Sequence, residues 1–201
     1  VTAGGPAGAG ADTTVRPAGP ADTVAMGAIH SRAWRNSYAG LLPKATLVDL
    51  DPGVLAAAWR AAVASPPSPR HRLLVATATD VVTGFAALAP AEDPDTTPVD
   101  AEVLALEVDP VHRGTGHGSR LLNAVADTAR ELGFRRLLAW VPEPDTGRAA
   151  FLVGAGAAAD GARRVRSAGA PGAEGEPAGA VGWAEIRLVA ELTDDEAGDR
   201  R

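Results

Sequence analysis

Arg113-Gly114-Thr115-Gly116-His117-Gly118 is the segment whose residue types and spacing most directly imply chemistry. It follows an apolar run, Ala101 to Val108, and a short Asp109-Pro110-Val111-His112 turn, and it opens into Ser119-Arg120-Leu121-Leu122. A glycine-rich turn between a strand and a helix N-terminus lets backbone N–H groups approach an anion, and the helix start adds a partial positive charge. Arg113 and Arg120 strengthen that field. The segment predicts a site for a phosphorylated cofactor.

Spacing narrows which cofactor. A Walker loop ends in Gly-Lys-Ser/Thr, whereas the sole lysine of the chain is Lys44. The dinucleotide fingerprint Gly-x-Gly-x-x-Gly places its third glycine at Ser119 when counted from Gly114, or at Leu121 when counted from Gly116. A third pattern, Arg/Gln-x-x-Gly-x-Gly/Ala, is matched by Arg113, Gly116 and Gly118, with Val108-x-Pro110 before it and Arg120-Leu121-Leu122 after it. On these residues the chain resembles the GNAT superfamily of acetyl-CoA-dependent N-acetyltransferases, in its bacterial type. Ala33-Trp34-Arg35-x-x-Tyr38-Ala39-Gly40-Leu41-Leu42-Pro43 is similar to the first-helix region of many bacterial members.

The resemblance implies roles. Amides of Arg113, Gly114, Thr115, Gly116, His117, Gly118 and Ser119 would hold the pyrophosphate of acetyl-CoA. Main-chain groups of Leu106, Glu107 and Val108 would hold the pantetheine and the acetyl carbonyl, with Val108 polarising the thioester. Asp145 occupies the position of an asparagine that touches cofactor, and Leu152 that of a tyrosine that protonates the leaving thiolate. Leucine has no proton to donate.

Acetyl transfer to an amine needs a base. Glu102 and Glu107 are the candidates; five apart on one strand, they are expected on opposite faces. Glu102 stands eleven residues before Arg113, the spacing of the glutamate base in histone-type members, and is the expected catalytic residue beside Val108. A solvated charge or an arginine ion pair is the plain alternative for it. Trp34 and Tyr38 share a helix face and read as core or as acceptor wall. Trp59, Trp140 and Trp183 read as core, Arg148 as a phosphate partner, His112 as a turn residue, and Arg163, Arg164 and Arg166 as a solvated strand edge.

The 201 residues suffice for one sizeable core. A net charge of −6 argues against a nucleic-acid partner and allows a cationic one. The absence of cysteine excludes disulfides and thiolate catalysis, and four histidines without paired-ligand spacing give no metal site. No apolar run approaches the roughly twenty residues that span a bilayer, and the N-terminal segment lacks the charged and apolar regions of a signal peptide. The expected location is cytoplasmic.

Strands are expected at 14–17, 72–77, 81–88, 100–108, 135–141, 162–166 and 183–189. Helices are expected from Pro20 to Tyr38, near Thr46 to Leu50, from Asp51 to Val63, from Gly118 to Leu132 and from Arg148 to Ala155. The fold class is α/β, of GNAT type, with a mixed, mostly antiparallel sheet flanked by helices over residues 14–190. Residues 1–13 read as a disordered tail, 167–180 as a flexible linker or hairpin tip carrying Glu174 and Glu176, and 191–201 as a charged tail. The resemblance implies direct transfer of the acetyl group of acetyl-CoA to a primary amine in a ternary complex. The alternative is a silent acyl-CoA-binding regulatory or scaffold module; a dinucleotide oxidoreductase is the weaker third reading. A final strand pairing across an edge would make a homodimer.

Overall fold

The computed structural model describes residues 13–42, 44–48, 50–168 and 181–192. The expected N-terminal tail, apart from Thr13, and the segments 169–180 and 193–201 lie outside the described residues.

Seven strands form one sheet in the order β1-β2-β3-β4-β5-β7-β6. They are β1 (Thr13–Pro17), β2 (Arg72–Ala78), β3 (Val81–Pro90), β4 (Asp100–Val108), β5 (Arg136–Pro142), β6 (Ala158–Ala168) and β7 (Val181–Glu191). All neighbours are antiparallel except β4 and β5. The helices are α1 (Thr23–Ser37), α2 (Lys44–Val48), α3 (Pro52–Ala64), α4 (His117–Glu131) and α5 (Thr146–Gly154). This is the expected architecture. The last two strands are longer than their apolar cores suggest, because β6 and β7 form a hairpin whose pairing reaches Ala168 and Val181.

Helix α4 is fixed at both ends by glycine. Gly116 is its N-cap at φ 88°, and Gly133 follows its C-terminus at φ 78°. The Gly133 amide donates to Arg130 O at 2.9 Å and the Phe134 amide to Ala129 O at 2.9 Å, a Schellman closure that buries Phe134. Leu121, Leu122, Val125 and Ala129 then face the sheet and join Leu74, Leu88, Val103 and Leu137 in the main core. Each large apolar side chain so buried contributes about 1.5–3 kcal/mol.

The opposite face of the sheet carries α1 and α3. Met26 and Ile29 of α1 pack on Val75 and Phe85. Asp51 starts α3 by accepting from the Gly53 and Val54 amides at 2.6 and 3.0 Å, with Pro52 in the first turn. At Gly27 the two helices meet backbone to backbone: a Cβ there would stand 2.4 Å from Pro52 O and 2.5 Å from Ala56 N. That contact carries Trp59 to the sheet.

Two irregularities in β4 matter for function. Ala87 and Leu88 of β3 are consecutive, yet they pair with Ala105 and Val103, so Leu104 is an extra, unpaired residue. This is a β-bulge. On its other side β4 pairs with β5 only at Asp100, Ala101 and Glu102; beyond Glu102 the strands part. Arg136 of β5 clamps the closed end by donating to both oxygens of buried Asp100 at 2.7 and 2.6 Å, which holds that carboxyl at about 2.

Candidate active site

The parting of β4 and β5 opens the sheet, and two cavities meet there. One, of about 670 Å³, lies over the glycine turn; the other, of about 410 Å³, lies on the α1–α3 face. Both are lined by Leu106, Glu107 and Arg148, so their junction is at those residues.

The larger cavity is built from the segment that the sequence singles out. Leu106, Glu107, Val108, Arg113, Gly114, Gly116, Gly118, Ser119 and Asp145 line it; Thr115 and His117 do not. Gly114 at φ 76° and Gly116 at φ 88° turn the chain as only glycine does without strain. The amides from Gly114 to Ser119 have no acceptor among the described residues. Six open donors at the start of a fifteen-residue helix make a cradle for an anion. Arg113 stands at its rim, donating to Asn36 Oδ1 at 2.7 Å and to Val108 O at 3.3 Å. Arg32 of α1 pairs with Asp109 at 2.5 Å and ties α1 to the turn.

Thr115 and His117 have other places. The Thr115 hydroxyl donates to His112 O at 2.6 Å, and the Arg120 guanidinium donates to Thr115 O at 3.3 Å. The His117 ring is buried against His112, centroids 6.1 Å apart, and burial lowers its pKa. His117 and Thr115 therefore serve the turn through their backbone rather than their side chains.

Backbone geometry makes Val108 available. The Asp109 amide donates to Thr83 O at 2.9 Å, so Asp109–Thr83 is a hydrogen-bonded pair of the antiparallel ladder. Alternation then makes Val108–Gly84 and Leu106–Ala86 non-bonded pairs. The N–H and C=O groups of Leu106 and Val108 consequently point away from β3, into the opening left by β5.

The bulge corrects the expected orientation of the glutamates. The extra residue at Leu104 restores the parity lost over five residues, and Glu102 and Glu107 both line the smaller cavity. They differ in environment. Glu107 is 3% exposed and receives Arg148 Nη2 at 3.0 and 3.2 Å; burial raises its pKa and Arg148 opposes the rise. Arg148 also contacts Asp145 at 3.3 Å, while Asp145 accepts from the Arg148 amide at 3.0 Å and caps α5. Arg148 thus pairs with two carboxylates while also lining the larger cavity. Glu102 is half-buried and has no hydrogen bond or ion pair among the described residues. Burial raises its pKa; the nearby charges that act on it are Arg164, Asp93, Arg166 and Glu185.

The walls of the smaller cavity hold what sequence reasoning missed. All four tryptophans of the chain and its only tyrosine line it. Trp34, Tyr38, Trp59, Trp140 and Trp183, expected mainly as core, are held edge to face or tilted around it: Trp34–Tyr38 at 4.7 Å, Tyr38–Trp183 at 5.7 Å between centroids. Trp59 Nε1 donates to His30 Nδ1 at 3.2 Å, and burial lowers His30 to about 4, so it is neutral. Burial also pushes the Tyr38 phenol up to about 12, and its hydroxyl has no hydrogen bond among the described residues. Leu152 is in the same wall. Of the arginine cluster of edge strand β6, Arg163 and Arg166 are exposed as expected, whereas Arg164 pairs with buried Glu185 at 2.7 Å and stacks on Trp140 at 4.3 Å; Arg166 also lines the cavity.

Comparison with known proteins decides the family. The Acetyltransferase (GNAT) family profile matches residues 30–155. The chain belongs to that family. Among solved structures it is similar to yncA from Salmonella typhimurium, solved with acetyl-CoA as its cofactor, at 21% identity and TM-score 0.65 over 94% of this chain and 99% of that one. It is also similar to the PaiA N-acetyltransferase from Thermoplasma acidophilum, solved with coenzyme A, at 14% identity and TM-score 0.64 over 90% and 99% of the two chains. A third is the ribosomal-protein-alanine N-acetyltransferase from Brucella melitensis, at 22% identity and TM-score 0.62 over 89% and 99%. At these identities the likeness is one of fold. A search of curated protein sequences finds no match. No helix among the described residues is long and apolar enough to cross a membrane.

Proposed function

We propose that this GNAT acetyltransferase moves the acetyl group of acetyl-CoA directly to a primary amine held in the smaller cavity. The observation that carries the reading is the junction: an open-amide anion cradle and an aromatic, carboxylate-bearing cavity meet at strand residues whose N–H groups face the gap. The cradle from Gly114 to Ser119 suits the pyrophosphate, and the gap between β4 and β5 suits an extended pantetheine hydrogen-bonded to Leu106 and Val108.

Glu102 is the base. It is free of the arginine pairing that occupies Glu107, and burial raises its proton affinity, the direction that suits a base. It takes one proton from the ammonium form of the acceptor through bridging water, because Glu102 stands six residues before Val108 on β4. The amine nitrogen then forms a bond to the thioester carbonyl carbon while the Val108 amide hydrogen-bonds the carbonyl oxygen. The C–S bond breaks, the thiolate leaves, and the second nitrogen proton is released as the amide forms. The products are an N-acetylated amine and CoA, with Glu102 shedding its proton to solvent.

Tyr38 does not replace the proton donor that Leu152 cannot be, but it can serve the leaving thiolate as a hydrogen-bond donor. A phenol held near 12 does not surrender its proton to a thiolate of ordinary pKa near 8.5; it remains protonated and hydrogen-bonds the developing negative charge. Two-substrate initial rates with calorimetry of acetyl-CoA binding test the proposal. Binding of acetyl-CoA together with intersecting initial-rate lines is the expected result. Parallel lines would refute direct transfer, and binding without any transfer would leave a silent acyl-CoA module.

A further inference from the structure

The smaller cavity contains more charged groups than a base requires, and most cancel. Glu107 is neutralised by Arg148. Glu185, 3% exposed, is neutralised by Arg164 and also accepts from Trp183 Nε1 at 2.9 Å. His30 is neutral. Two lining charges remain without an ion pair among the described residues: the carboxylate of Glu102 and the guanidinium of Arg166. They sit close enough for the Arg166 charge to act on both Glu102 and Tyr38. The same cavity is walled in part by indole and phenol rings.

An aromatic cavity with one free anion and one free cation matches a ligand carrying the complementary pair. A simple alkylamine or polyamine would gain from Glu102 and from cation–π contact with the tryptophans, but it would be repelled by Arg166. A peptide N-terminus would bring no oxyanion beside its ammonium. A volume of about 410 Å³ is that of a small-molecule site.

We propose that the acceptor is a free amino acid with an apolar or aromatic side chain, its ammonium group facing Glu102 across bridging water, its carboxylate on Arg166 and its side chain against the tryptophan walls. This rests on the acetyl-transfer reading above and adds to it the acceptor class and a specificity residue. Arg166 is exposed on β6, with its backbone paired to Trp183 of β7, so replacing it leaves the core intact. Its guanidinium can hold a carboxylate through two parallel hydrogen bonds.

The test uses the full chain with acetyl-CoA and follows thiol release. L-phenylalanine, L-leucine and L-tryptophan are compared with the corresponding amines that lack the acid group, phenethylamine, isoamylamine and tryptamine, and with phenylalanine amide. The expected kcat/KM is about tenfold or more in favour of each amino acid, the size of one charge-assisted hydrogen bond. Arg166→Gln should move that ratio toward one, and Arg166→Lys should restore part of it. In parallel, tryptophan fluorescence is titrated with L-phenylalanine and with phenethylamine in the absence of acetyl-CoA, since every tryptophan lines the cavity. Tighter binding of L-phenylalanine, lost in Arg166→Gln, is expected. Equal or better use of the amines or the amide, or a ratio unmoved by Arg166→Gln, overturns the proposal. Failure to bind acetyl-CoA overturns the acetyl-transfer reading instead, and the cofactor-free titration then decides the zwitterion site on its own.

Discussion

Replacing Arg148 with methionine should destabilise the fold in a strongly pH-dependent way. The substitution keeps an unbranched apolar stem and removes the cation that stands 3.0 Å from Glu107. Glu107 is 3% exposed, so solvent cannot replace that partner, and an unpaired buried charge costs about 3–5 kcal/mol. Protonation sets a ceiling on that cost. At pH 7, holding neutral a carboxyl whose unfolded-state pKa is about 4.3 costs about 1.36 kcal/mol per pH unit, or about 3.7 kcal/mol. At pH 5 the same step costs about 1 kcal/mol. The folded variant holds a proton that the unfolded chain lacks over this range, so its stability falls as pH rises. Urea unfolding followed by tryptophan fluorescence should therefore show a loss of about 3–4 kcal/mol at pH 7 and about 1 kcal/mol at pH 5. Adding Glu107→Gln should remove most of the pH dependence. A loss below about 1 kcal/mol at pH 7, or an equal loss at both pH values, would refute the reasoning.

Three further outcomes are expected. Tyr38→Phe should lower kcat by about 10- to 100-fold with little change in KM, the loss of one hydrogen bond to a developing charge; unchanged kcat in steady-state kinetics would assign the phenol to packing alone. Gly27→Ala should destabilise by about 2 kcal/mol or more, because its Cβ would meet α3 backbone at 2.4 Å with no flexible neighbour to yield, while Gly40→Ala, with nothing within 4 Å, should be near neutral in the same unfolding experiment. His30 is neutral in the fold with a pKa of about 4. Its contribution is present above pH 6.5 and is lost as pH falls toward 4, by about 3 kcal/mol in all. His30→Gln should flatten that limb of the stability–pH curve, whereas Asp100, held at about 2, acts only below the ordinary carboxylate range.

Local signals in the chain carried the frame. The Val-x-Pro, arginine and glycine pattern between Val108 and Ser119 placed the cradle because each glycine answers a local backbone demand, and Gly114 and Gly116 do adopt positive φ. Element order was legible because apolar periodicity, Asp51-Pro52 and Gly133 mark ends locally. The bulge was not. In Glu102-Val103-Leu104-Ala105-Leu106-Glu107 four apolar residues hide the break in alternation; the odd spacing of two glutamates in an apolar strand was the available sign, and Leu104 at 57% exposure is the residue that absorbs it. The acceptor cavity was not legible for a different reason. Trp34, Trp59, Trp140 and Trp183 come from α1, α3, β5 and β7, and only tertiary packing brings them to one wall. Arg164 looked like part of a solvated edge because the partners that cover it, Glu185 and Trp140, lie on other strands.

The central claim is that Glu102 takes the acceptor's proton at a site distinct from the cofactor cradle. The pH dependence of kcat/KM for Glu102→Gln beside the unaltered protein, with acetyl-CoA affinity measured by calorimetry on both, tests it most directly. The account predicts a fall of about 10²- to 10⁴-fold near neutral pH. It also predicts loss of the ascending limb, which in the unaltered protein lies above the ordinary carboxylate range, and unchanged acetyl-CoA affinity. A variant that keeps its turnover and its ascending limb would contradict the claim, as would one whose loss is matched by an equal loss of acetyl-CoA affinity.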